Sequence, residues 1–119
     1  ARFDMLQDNV IIDLKTCRDA SPRGFKFAVR SFGYHQQAAF YLDAAKHSGM
    51  TEVDRFQFLA IEKAHPYPYV VYELDAEAIE YGRSLNERAL NLLLHCRDTD
   101  IYTPYNLHNQ IVPIKLTDL

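Results

Sequence analysis

Two short apolar runs separated by a polar turn lie near the start of the chain. Residues 3–6 and 10–14 are joined by the polar segment 7–9, which predicts a β-hairpin. The second run holds three consecutive β-branched residues, Val10, Ile11 and Ile12, a pattern typical of a strand buried on both faces. We therefore expect a hairpin whose second strand lies inside a sheet, followed by a polar loop over residues 16–20.

Helical periodicity follows this loop. Ser21 supplies an N-cap and Pro22 suits the first helical position. The first helix is predicted from an apolar stripe with spacings of three and four residues, formed by Phe25, Ala28, Val29 and Phe32, which we expect to face the core. Residues 34–48, which are rich in alanine, predict a second helix that stops at Gly49.

The second half of the chain continues with strands and one long helix. Residues 55–61 and 69–74 predict two strands, and residues 75–97 predict a helix with an apolar face. The segment beyond residue 98 lacks periodicity, although residues 111–116 suit a short strand. The order β-β-α-α-β-β-α predicts an α/β (mixed α+β) fold, with a mixed sheet flanked by helices in a single domain over residues 1–119.

Composition narrows the class of protein. Hydrophobic residues make up 48% and charged residues 24% of the 119 positions, as in ordinary soluble globular proteins. No apolar run approaches the roughly 20 residues that span a bilayer, so we expect no membrane partner and a cytoplasmic location. Cys17 and Cys96 form no CxxC pair and indicate neither a zinc ribbon nor a disulfide framework. The net charge of −3 argues against indiscriminate nucleic-acid binding.

Candidate chemistry lies at the end of the predicted inner strand. Asp13 and Lys15 are two residues apart, so a strand directs both side chains to one face. Asp4, on the preceding hairpin strand, would come alongside Asp13 when the hairpin pairs, and the carbonyl of Leu14 would be a further oxygen donor. Carboxylates suit Mg²⁺, which can drive phosphodiester hydrolysis. An Asp and a Lys at a frayed strand end are the other interpretation of so short a motif.

A third element lies on the second predicted helix. Gln37 and Tyr41 are four residues apart and share one helix face. An amide and a phenol placed there can hydrogen-bond a phosphate or a metal-bound water. Without the Asp-x-Lys strand, both residues would be interpreted as structural.

These elements in this order resemble a known family. Asp4, the IIDLKT strand (residues 11–16) and the YHQQAAFY helix (residues 34–41) resemble the RecB-type branch of PD-(D/E)XK nucleases, and most of all its RecE-like phage and prophage exonucleases. The resemblance spans about residues 2–97. It implies a restriction-endonuclease-like core, Asp4 and Asp13 as ligands of Mg²⁺ (or Mn²⁺), Lys15 as a catalytic residue, and Gln37 and Tyr41 completing the site.

The resemblance also carries expectations about the whole protein. It implies 5′→3′ resection of double-stranded DNA ends, a ring-shaped homo-oligomer, and a single-strand annealing recombinase as a partner. Two features depart from the family's pattern. Its Asp-x-Lys position is often Glu, whereas this chain has Asp13. The family also has an upstream helix that adds a His or Glu ligand, so we expect this chain to be the C-terminal portion of a nuclease domain whose N-terminal part is missing.

Basic residues cluster after the Asp-x-Lys strand. One interpretation is a rim that contacts DNA phosphates; the other is a solvated helix face. The residues concerned are Arg18, Arg23, Lys26 and Arg30. Two alternative functions stay open: an endonuclease or helicase-associated nuclease module of the same superfamily, and a non-catalytic DNA-binding or scaffold module.

Overall fold

A four-stranded sheet and three α-helices make up most of the computed structural model, which describes residues 5–100, 111 and 113–119. In chain order, the described elements are β1 (Met5–Gln7), β2 (Val10–Cys17), α1 (Pro22–Phe32), α2 (Tyr34–His47), β3 (Arg55–Glu62), β4 (Tyr69–Glu73), α3 (Ala76–Thr99) and a 3₁₀ turn (Leu116–Asp118). The sheet order is β1-β2-β3-β4.

The sheet is mixed, as the sequence predicts. β1 pairs antiparallel with β2, and β3 pairs antiparallel with β4, whereas β2 and β3 run parallel. A parallel pair needs a long crossover connection, which α1 and α2 supply. The hairpin between β1 and β2 turns through Asp8 and Asn9, whose φ angles of 50° and 65° are the positive values that a tight two-residue turn requires.

Helix α1 begins and packs as its sequence dictates. The Ser21 side chain accepts a hydrogen bond from the backbone N–H of Gly24 at 3.3 Å, and Pro22 is the first helical residue. Phe25 is buried and stacks on Tyr72 of β4, with 4.6 Å between the ring centroids. The prediction for Phe32 is wrong: Gly33 ends the helix in a left-handed conformation, and Phe32 is 71% exposed.

Small residues let α2 lie close to the sheet. Ala38, Ala39 and Ala45 are almost fully buried against a core formed with Ile11, Phe56 and Phe58. This core covers one face of the sheet. The opposite face carries partly exposed apolar side chains, among them Leu14 at 49% and Val71 at 53%.

The described residues divide into two compact units between Glu87 and Arg88. The first unit holds the sheet, α1, α2 and the first part of α3. There, Gly82 lies so close to the start of α2 that a Cβ atom would meet the carbonyl oxygen of His35 at 2.2 Å. The second unit holds the rest of α3, where Leu92 and Leu93 are exposed although they continue the predicted apolar face.

The end of β2 and the segment 111–116 differ from their predicted structures. The inner strand extends to Cys17 because Thr16 and Cys17 pair with Ile61 and Glu62, so the loop begins later than the sequence suggests. The described residues of segment 111–116 form no strand. In the part of the chain that the structure covers, no helix is both long and apolar enough to cross a membrane.

Candidate active site

Strand β2 directs Asp13 and Lys15 toward the helices. In the parallel register they lie opposite Phe58 and Ala60, both fully buried on the helix-covered face. Asp13 is 7% exposed, and its Oδ2 atom lies 2.9 Å from the Lys15 Nζ atom. Because a buried carboxylate is costly without compensation, this ion pair explains how Asp13 is accommodated among aromatic side chains.

Lys15 is held by the first turn of α2 as well. Its Nζ atom donates a hydrogen bond to Oε1 of Gln37 at 2.8 Å. The same atom lies 4.3 Å from the centre of the Tyr34 ring, within the range of a cation–π contact. The structure thus brings together three of the predicted site residues, Asp13, Lys15 and Gln37.

Tyr41 lies one turn further along α2. It is half-buried at the edge of the core, and its ring centroid is 6.2 Å from that of Phe56. Phe56 pairs in register with Ile11, whereas Gln37 contacts Lys15. Along β2, Gln37 therefore lies near Lys15 and Tyr41 lies near Ile11, with Asp13 between these two positions of the strand.

Two predicted ligands are less well defined. Asp4 lies outside the described residues. The Leu14 side chain is 49% exposed, as expected for a residue between Asp13 and Lys15 on a strand, and the role of its carbonyl oxygen stays a prediction.

The described residues offer only part of a metal-binding site. Asp13 offers the hard oxygen atoms that Mg²⁺ prefers. Among the described residues, however, no group of three or more His, Cys, Asp or Glu side chains comes together. Asp13 therefore fits as one ligand of such an ion, which proteins often bind through one or two carboxylates together with water.

All four predicted phosphate-contacting residues line one groove of about 930 Å³, namely Arg18, Arg23, Lys26 and Arg30. Lys63, which directly follows β3, lines it too. Its backbone N–H donates to the Cys17 carbonyl at 3.1 Å, because the parallel strands β2 and β3 end side by side. A signal for Lys63 was thus present: the carboxyl ends of neighbouring parallel strands share one edge of a sheet.

Ionisable side chains at the groove respond to their neighbours. Hydrogen bonds from Ser21 lower the pKa of Asp19, which keeps this carboxylate charged. Burial, followed by the nearby Glu62 carboxylate, raises the pKa of the Cys17 thiol, so Cys17 stays protonated at neutral pH and is a poor nucleophile. The Glu62 carboxylate also accepts the backbone N–H of Ala20 at 3.0 Å, which fixes the loop between β2 and α1.

Tyr34 was missed as a site residue. It precedes Gln37 by three positions, so both side chains lie on the same face of α2. That spacing was a usable signal, since any side chain that contacts Gln37 from this face is also close to Tyr34. His35 points away from the site and stacks on Tyr81, with 5.6 Å between the ring centroids.

Comparisons with known proteins bear on the family and the fold of this chain. The model of a family described as a PDDEXK-like domain of unknown function (DUF3799) matches residues 1–105. The chain is also similar to the crystal structure of a "putative exonuclease" from Eubacterium rectale, with a TM-score of 0.69 and 18% sequence identity. That match covers 98% of this chain and 49% of the other, so the chain spans about half that protein's length, and the likeness concerns the fold alone. A search of curated proteins found no match.

Proposed function

This chain belongs to the family of PDDEXK-like domains DUF3799, and on that basis we propose that it is a Mg²⁺-dependent nuclease that hydrolyses double-stranded DNA from its ends. Mn²⁺ would serve in place of Mg²⁺. The observation that carries the proposal is the double contact of Lys15 with Asp13 and Gln37, at 2.9 and 2.8 Å. The RecB-type resemblance assigns these residues to the site. We propose that the chain belongs to that branch of the superfamily.

We propose Asp13 and Asp4 as the carboxylate ligands of the metal, with the Leu14 carbonyl as a further donor. In support, Met5 pairs with Ile12, and Asp4 and Asp13 are the sequence neighbours of that pair. When bound, Mg²⁺ supplies Lewis acidity and lowers the pKa of a coordinated water.

Lys15 and Gln37 then act on the phosphate. The Lys15 ammonium, oriented by its contacts with Asp13 and Gln37, stabilises the negative charge that grows on the scissile phosphate. Gln37 uses its carbonyl oxygen on Lys15, which leaves its amide N–H groups for a phosphate oxygen or the attacking water. Tyr41 adds a phenol beside Phe56, which pairs with Ile11, two residues before Asp13 on β2.

Two substitutions test the chemistry. Asp13→Asn removes the carboxylate charge at constant size, and Lys15→Ala removes the cation. In the presence of Mg²⁺, each is expected to slow nucleotide release from linear duplex DNA by about 10²–10³-fold or more, the usual effect of losing one group that stabilises transition-state charge. Lys46→Ala is the matched control, because Lys46 is an exposed cation near the other end of α2.

Folding and mode of action are checked on the same preparations. Circular dichroism shows whether Lys15→Ala still folds, since it leaves Asp13 buried without this ion-pair partner. Full activity in Asp13→Asn contradicts the proposed site. Cleavage of covalently closed circles identifies an endonuclease instead of an exonuclease. Absence of both hydrolysis and calorimetric Mn²⁺ binding in the intact wild-type protein favours a scaffold. The ring assembly and the annealing partner stay predictions of the resemblance.

A further inference from the structure

The groove beside the active site is strongly cationic although the chain as a whole is acidic. Among the described residues that line it, five are basic and one, Asp19, is acidic, whereas the net charge of the chain is −3. Helix α1 contributes Arg23, Lys26 and Arg30 and contains no acidic residue. Within the described ranges, none of these three cations takes part in an ion pair, so their charge is available to an anion.

Two exposed aromatic rings lie among these cations. Phe27 is 69% exposed and Phe32 is 71% exposed, and both line the groove. Phe27 shares one helix face with Arg23 and Arg30, four residues before it and three after it, and Lys26 is its neighbour in sequence. This face lies opposite the buried Phe25. Large exposed aromatic side chains within a charged surface are typical of binding sites rather than of a core.

The aromatic side chains continue toward the active site. The Phe32 ring is stacked against Tyr34, with centroids 5.7 Å apart and an interplanar angle of 25°. Tyr34 also lines the groove, and the Lys15 Nζ atom lies 4.3 Å from its ring centre. Tyr34 therefore both lines the groove and contacts the proposed catalytic lysine.

From these observations we infer that the groove binds single-stranded nucleic acid, with the cations on its phosphates and an unpaired base stacked on Phe27. Cationic grooves with aromatic platforms are how proteins hold single strands, because every base offers a π-face. A duplex keeps its bases stacked on one another and presents only its backbone and base edges, so it would use the cations and leave Phe27 without a partner. The volume of about 930 Å³ lies in the upper part of the usual range for ligand pockets, enough for a nucleotide.

This inference deepens the proposed function, because it places an unpaired strand beside the residues proposed to cleave DNA. Binding is nevertheless measurable without cleavage. Fluorescence anisotropy with a short labelled oligothymidine, in EDTA and at low salt, reports the affinity of the full chain for a single strand. A blunt duplex of the same length is the comparison ligand.

Substitutions of Phe27 separate stacking from simple apolar contact. Phe27→Ala and Phe27→Leu are expected to weaken single-strand binding by about five- to 150-fold, the effect of losing one stacked base, while duplex binding changes little. Phe27→Trp keeps a ring and should retain the affinity. Phe40→Ala is the matched control, because Phe40 is 60% exposed on α2 and does not line the groove. Arg23→Ala should reduce the slope of log affinity against log salt by about 0.7, the value for one phosphate contact on a single strand.

Each other outcome overturns the inference. Wild-type affinity in Phe27→Leu means that no base stacks there, and equal weakening of single strand and duplex means that Phe27 does not distinguish them. A dimer that Phe27→Ala converts to a monomer, with oligothymidine binding unchanged, identifies a self-association surface instead. The proposed function fails separately: a complete protein that binds oligothymidine through Phe27 but does not hydrolyse DNA refutes the nuclease and leaves this inference standing.

Discussion

Gly82 offers a test of how α3 and α2 determine the stability of the first unit. A Cβ atom at this position would lie 2.2 Å from the His35 carbonyl oxygen and 2.6 Å from its carbonyl carbon. Ordinary contacts of this kind are 3.4 Å or longer. Both obstacles are backbone atoms, which no side-chain rotation can move aside. Gly82→Ala therefore forces the two helices apart locally.

The expected loss of stability can be bounded. Over-packing at a tight site costs about 1–3 kcal/mol, and the backbone clash points to the upper end of this range. Alanine returns about 1 kcal/mol because it favours the helix over glycine. The net expectation is a loss of about 2 kcal/mol in the free energy of unfolding, a large share of the roughly 5–15 kcal/mol that holds a domain together. For a unit of this size that corresponds to a fall in Tm of about 8–16 °C.

Urea unfolding followed by circular dichroism measures this loss. With a typical m-value of about 2 kcal/mol/M, the midpoint should fall by about 1 M. Glu87→Ala, which puts an alanine at an exposed position of α3, should change stability by less than about 0.5 kcal/mol. Equal or greater stability of Gly82→Ala would refute the close approach of the two helices. The residue that clashes, His35, lies two positions before Gln37, so the substitution should also lower nuclease activity.

Two further predictions concern the sheet. Hydrogen bonds from Arg55 and then Gln57 lower the pKa of Glu73 below its ordinary value of 4.5, so the stability it contributes is fully present above that pH and is lost as pH falls through the lowered pKa. The Tm advantage of wild type over Glu73→Gln should therefore shrink between pH 6 and pH 3, and a constant difference contradicts the linkage. Separately, Tyr72→Phe removes the hydroxyl that donates to the Ala20 carbonyl at 2.5 Å but keeps the ring on Phe25. It should cost about 1 kcal/mol in urea unfolding, and an unchanged midpoint would mean that this hydrogen bond adds nothing.

The sequence predicted those elements that a single local pattern determines. The β-branched run identified β2, and the Ser21–Pro22 pair located the start of α1. The end of β2 was predicted too early because Thr16 and Cys17 have the polar character of a loop. Their strand conformation comes from pairing with β3, a contact that no local pattern contains.

The site was predicted in the same uneven way. Strand and helix periodicity placed Asp13 with Lys15 and aligned Gln37 with Tyr41, but only the packing of α2 on the sheet shows that Gln37 reaches Lys15. The Phe32 side chain fitted the apolar stripe and was assigned to the core, whereas Gly33 turns the chain and leaves it at the groove. The spacing of apolar residues does not show where a helix ends relative to the sheet on which it packs.

The parallel pairing of β2 with β3 also has a consequence for folding. The hairpin of β1 and β2 closes through a two-residue turn and needs only neighbouring residues. Asp13 meets Phe58 only after the whole crossover has folded, a contact of long sequence separation that is slow to form. On a nascent or partly folded chain, the carboxylate of Asp13 is thus exposed to water, without the buried surroundings that it has in the folded protein. The proposed active site should therefore assemble with the pairing of β2 and β3 rather than with the appearance of the hairpin.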